Sequence, residues 1–167
     1  FSSGNYQYDG ITIPYRDGAT LASTQGKLPL VVVLHGQYGS GSDNLSQLRS
    51  DAMIGIWHYF TSNNVKAVVL APQCSPRRAW DETKEDVDKA TTMREALKSL
   101  IDHYVANNIN VDPSKIYILG YSDGPQPAGA GGVWYMLSEY SDMFAEPEDI
   151  SDEEILNATG FSIMGFN

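Results

Sequence analysis

Apolar residues follow two rhythms along this chain, and the rhythms alternate. Continuous apolar runs rich in β-branched residues occur at 28–36 (LPLVVVLHG), 65–72 (VKAVVLAP) and 116–124 (IYILGYSDG, apolar in its first half). Such runs mark strands covered on both faces of a parallel sheet. Between them apolar residues return at helical spacing. Leu45, Leu48, Ala52, Ile56 and Tyr59 form one stripe within 43–63, and Val87, Ala90, Met93, Leu97, Leu100 and Tyr104 form another within 84–107. GVWYMLSEY (132–140) reads as a further helix. ISDEEILNA (150–158) reads as a short one, with Ser151 as N-cap and Glu154 closing a capping box. GITIPYR (10–16) and GFSIMGFN (160–167) read as strands, with Pro14 placing the first at a sheet edge.

Strands alternating with amphipathic helices predict an α/β layered domain, its sheet mostly parallel and its helices on both faces. In such sheets sites form beyond the carboxyl ends of the strands. Three polar loops fall there, at 36–44, 73–81 and 121–132.

Charge narrows the partners. With 11 basic against 21 acidic residues, the net charge is −10. That argues against nucleic acid or an anionic membrane surface, because phosphate binding draws on basic clusters. No apolar run approaches the ~20 residues of a membrane-spanning helix. One cysteine, Cys74, excludes an internal disulfide and a multi-cysteine zinc site. It leaves the compartment open; a secreted or periplasmic setting is favoured over a cytoplasmic one. The acidic run EPEDISDEE (146–154) lacks the alternation of a calcium loop, and the expectation is no metal and no cofactor.

The chemistry concentrates at Gly120-Tyr121-Ser122-Asp123-Gly124. It fits G-x-S-x-G, the strand-to-helix turn that presents a nucleophilic serine. Ser122 is the candidate nucleophile, and the Asp123 N–H would face the oxyanion formed when Ser122 attacks a carbonyl. The Gln37 N–H, at the end of the preceding buried strand, is the candidate second donor. His35 is expected to brace that loop, and His58 and His103 to sit on helix surfaces. Cys74 is expected to be structural. Gln73 and Trp80 are candidates for the substrate pocket, Trp80 equally for a cap on the core.

Several motifs occur together in one order. Leu34-His35-Gly36 precedes Gly41-Ser42-Asp43-Asn44; Ala71-Pro72-Gln73-Cys74 precedes Trp80; and Asp112-Pro113-Ser114-Lys115-Ile116-Tyr117 leads into the serine turn. In this the chain resembles the α/β-hydrolases. It is most similar to the bacterial esterases and peptidases related to feruloyl and acetyl-xylan esterases and to PHB-depolymerase-like proteins. The resemblance covers about residues 10–167 and implies a single α/β-hydrolase domain over 1–167. It implies a serine carboxylic-ester hydrolase acting through an acyl-enzyme on Ser122, on a small-molecule or polysaccharide-linked ester.

The chain departs from that family in two ways. Relatives enter the helix directly after the serine, whereas Pro125–Gly129 reads here as an insertion; Glu146–Thr159 reads as a second. In the family the acid and the histidine follow the serine on later strands, and no histidine follows Ser122. The expectation is a C-terminally incomplete domain lacking its last strands, inactive alone, with its own missing C-terminal segment as a partner. The alternatives are a non-catalytic binding domain of the same fold and a serine peptidase.

Overall fold

The computed structural model describes residues 1–20, 26–122 and 128–145. Strands β1 (Ser2–Tyr8) and β2 (Ile11–Ala19) form a hairpin around Asp9-Gly10. Both turn residues have positive φ, 46° and 77°. Asp-Gly suits that two-residue turn because its twist matches the strands. Then follow β3 (Leu28–Leu34), α1 (Asp51–Ser62), β4 (Val68–Pro72), α2 (Met93–Asn107), β5 (Val111–Gly120) and α3 (Gly129–Glu139).

The sheet order is β1-β2-β4-β3-β5. β4, β3 and β5 run parallel, whereas β1 and β2 join antiparallel. The α/β expectation holds, but the sheet is mixed rather than mostly parallel. A two-residue turn can join only antiparallel strands, while parallel neighbours need crossovers such as α1 and α2.

β3 is the hub. Its residues alternate between the two faces. Leu30, Val32 and Leu34 pack with α2 and α3 through Leu97, Leu100, Val133 and Met136. Val31 and Val33 pack with α1 through Met53, Ile56 and Phe60. Each such fully buried side chain stabilises by about 1.5–3 kcal/mol relative to exposure.

Three boundaries differ from expectation. β2 is not an edge strand, since it lies between β1 and β4. Pro14 is tolerated because the β4 ladder begins one residue later, at Tyr15↔Pro72; its carbonyl accepts from Gln73 N at 2.7 Å. α1 starts at Asp51, where Ser50 caps it by accepting from Met53 N at 3.0 Å. α2 starts at Met93 rather than near 84, because Thr92 and Glu95 close a reciprocal capping box. The apolar stripe holds from Met93 onward, while Val87 and Ala90 precede the helix. The helix expected at 150–158 and the strand expected at 160–167 lie outside the described residues.

Candidate active site

The chain leaves β3 toward α1 on one face and leaves β5 toward α3 on the other. Neighbouring strands that exit to opposite faces open a crevice at their carboxyl ends. Ser122 lies there, two residues past the end of β5.

Ser122 has φ +74°. A non-glycine residue held in this left-handed region pays roughly 1–2 kcal/mol and persists only where neighbours enforce it. Tyr121 N donates to Leu34 O at 3.4 Å, and Ala130 N donates to Ser122 O at 3.3 Å. α3 thus closes on the serine from eight residues downstream rather than the four of an uninterrupted first turn. The close approach needs Gly129: a methyl group there would fall 2.4 Å from Leu34 O and 2.6 Å from Tyr121 O. On the other side Ser122 packs against Gly36, where a methyl group would stand 2.7 Å from the serine Cβ and 3.2 Å from its Oγ. Gln37 follows directly and opens a short 3-10 turn, Gln37–Gly39. Ser122 and the Gln37 loop are therefore side by side. Asp123 lies outside the described residues.

His35 is buried beneath this loop. Its Nδ1 donates to Gly36 O at 2.6 Å, and its Nε2 accepts from Cys74 N at 2.9 Å. That pairing fixes the neutral Nδ1–H tautomer, and burial pushes the imidazole pKa down to about 4. Both nitrogens are committed, so His35 braces two loops. His58 and His103 are exposed on α1 and α2; His58 reaches Ser62 within its own helix, and the His103 ring lies 5.1 Å from that of Tyr6.

Gln73, expected in the substrate pocket, and Trp80, expected there or as a cap on the core, are both fully buried. The Gln73 amide donates to Gly39 O at 3.0 Å and to Asp43 Oδ1 at 2.8 Å, and accepts from Asn44 N at 2.8 Å. It holds the 39–44 loop and presents no surface to a ligand. The Asp43 carboxylate also accepts from the Ser46 hydroxyl and amide and the Leu45 amide. These donors, Ser46 first, hold it below the usual carboxylate range. Trp80 packs edge-on against His35, 5.5 Å between rings. It is the cap on the core that the sequence left as one of two options. The Trp80 loop is pinned by Arg94, whose Nη1 donates to Trp80 O at 3.0 Å and Glu82 O at 2.5 Å. Cys74 is buried, and burial pushes its thiol far above the ordinary range, which leaves it inert.

Two residues that sequence reasoning missed touch the site. The Tyr121 hydroxyl lies 2.5 Å from Ser50 Oγ, which joins the serine turn to the start of α1. Ser50 could have been found from its cap spacing to Met53, but nothing local foretells its bond to Tyr121. Among the described residues no cluster of three or more metal-ligating side chains occurs, and no helix is long and apolar enough to cross a membrane.

No family model matches the sequence, and no curated protein matches it. Solved structures do. A thermostable esterase superposes with a TM-score of 0.66 at 28% identity, over 86% of this chain and 39% of that one. An S-formylglutathione hydrolase from Agrobacterium tumefaciens gives 0.61 at 14% identity, over 86% and 53%. Est1E from Butyrivibrio proteoclasticus gives 0.56 at 16%, over 85% and 47%. The chain thus spans about half the length of these proteins or less. Its crossover pattern, its serine turn and this likeness agree: the chain has the α/β-hydrolase fold, which it shares with these esterases.

Proposed function

We propose that this chain carries the nucleophile half of a serine carboxylic-ester hydrolase. The observation that supports it most is Ser122, held at positive φ beyond a parallel strand and packed against Gly36 of the neighbouring loop. In the proposed reaction Ser122 Oγ attacks the ester carbonyl and its proton passes to a general base. The Gln37 and Asp123 N–H groups receive the oxyanion. The alcohol leaves with a proton from the same base, and water then attacks the acyl-enzyme, returning the carboxylic acid and free Ser122. No metal or cofactor is needed for these steps.

None of the three histidines is placed as that base: His35 spends both nitrogens on backbone groups, and His58 and His103 sit on outward helix faces. For the acyl group we propose small or aromatic acids esterified to plant polysaccharide. Support for that class is the family likeness, with a structure of Est1E holding ferulic acid among the similar ones.

The test is hydrolysis of p-nitrophenyl acetate by the full-length gene product. Ser122→Ala should lower kcat by several orders of magnitude, and the 167-residue chain alone should turn over little. Unchanged activity in Ser122→Ala means another nucleophile. The same commitment of the histidines also fits a domain that keeps the fold and has lost the chemistry. Binding of an ester without turnover by the full-length product would select that second reading.

A further inference from the structure

Tyr121 is the first of the two variable residues of the serine turn, yet its side chain leaves the turn and ends among groups of another element. Its hydroxyl lies 2.5 Å from Ser50 Oγ, and Ser50 Oγ accepts from Met53 N at the first turn of α1. Its ring runs beside Gly36: a methyl group on that glycine would be 3.6 Å from Tyr121 Cε2. Its main-chain N–H, meanwhile, holds Leu34 O at the end of β3. One residue therefore touches the end of β3, the Gly36 backbone that leads into Gln37, and the cap of α1, while its own chain carries Ser122.

We infer that Tyr121 is a positioning residue, whose phenol, anchored on Ser50, fixes the Gly36–Gln37 backbone relative to Ser122. This rests on the ester-hydrolase reading and deepens it. The serine and its oxyanion donor come from neighbouring strands paired as far as Leu34↔Gly120, and beyond that pairing contacts between the two loops set their spacing. Gly36 has no side chain of its own to do so. The 3-10 turn that follows is short, and its N-cap is Gly36 without a side-chain cap bond. A phenol braced from α1 adds a constraint to the one that His35 places on Gly36 O. Because the donor acts on charge that develops in the transition state, a loosened loop should lower kcat more than it changes KM.

The experiment uses the full-length gene product with p-nitrophenyl acetate and three variants. Tyr121→Phe keeps the ring and removes the hydroxyl. Ser50→Gly removes the anchor while leaving α1 nearly as well capped, since glycine is a tolerable N-cap. Ser122→Ala reports on the nucleophile itself. Tyr121→Phe should lose about 10–10² in kcat, less than outright removal of an oxyanion donor, with KM within about threefold. Ser50→Gly should lose kcat in the same sense, and the double variant should lose no more than Tyr121→Phe alone, because both act through one bond. A folded Tyr121→Phe with full kcat, or one that changes KM alone, overturns the inference while an inactive Ser122→Ala leaves the hydrolase reading standing. If Tyr121→Phe does not fold, Ser50→Gly decides by the same criterion. Full activity in Ser122→Ala overturns both.

Discussion

A methyl group on Gly36 would stand 2.7 Å from the Cβ of Ser122. Cβ atoms do not tolerate so short a contact, so the end of β3 and the turn after β5 meet only because residue 36 is glycine. Gly36→Ala must push one loop away from the other. We expect at least a 10²-fold loss of ester hydrolysis in the full-length protein, on the scale of one misplaced oxyanion donor. Steady-state kinetics on p-nitrophenyl acetate check it. Activity within threefold of the parent would mean that the spacing of these loops does not matter to the chemistry.

The strain at Ser122 makes a separate prediction. Its φ of +74° suits glycine and penalises any residue with a Cβ. Ser122→Gly and Ser122→Ala both remove the hydroxyl, so their difference isolates the backbone. Ser122→Gly should be the more stable by about 1 kcal/mol, and both should be inactive. Urea melts of the pair measure it. Equal midpoints would show that the turn stores no such strain.

His35 sets a pH dependence of stability. Folded, its pKa is lowered to about 4 from the ordinary 6.5, chiefly by burial. The unfolded chain therefore takes up a proton near pH 6.5 that the native protein refuses until near pH 4. Stability from this group is complete above pH 6.5 and falls as pH drops toward 4, by about 1.4 kcal/mol per unit. His35→Gln keeps a polar side chain without a titrating one. It should be less stable at neutral pH but show a flatter profile between pH 6.5 and 5, where carboxylates add little. The same slope in the variant would assign the effect to other groups.

The fold was legible where one pattern had one meaning. The apolar runs around Val32, Leu70 and Ile118 are buried strands because helices cover both faces, and the motifs at their ends named the crevice. The hairpin was missed because Tyr6 and Tyr8 alternate with small and polar residues, although Asp9-Gly10 announces the turn. The start of α2 was misplaced because Val87 and Ala90 continue the helical period by coincidence. Thr92 and Glu95, a capping box local in the sequence, mark the true start. The loop position of Gln73 suggests the pocket, and that of Trp80 allows the pocket or a cap on the core, but a loop residue can point inward. Only the contacts of Gln73 with Gly39 and Asp43, and of Trp80 with His35, reveal that these two do. The bond between Tyr121 and Ser50 spans 71 positions, and no periodicity encodes it.

The central claim is that Ser122 is the nucleophile, and covalent labelling tests it most directly. Treat the full-length gene product with diethyl p-nitrophenyl phosphate, which phosphorylates an activated serine with release of p-nitrophenolate. Then map the adduct by peptide mass analysis beside Ser122→Ala. The account predicts one diethylphosphoryl group per chain, on Ser122, gained in step with the loss of ester hydrolysis and absent from the variant. Full loss of hydrolysis with the adduct on another residue and Ser122 unmodified would contradict it.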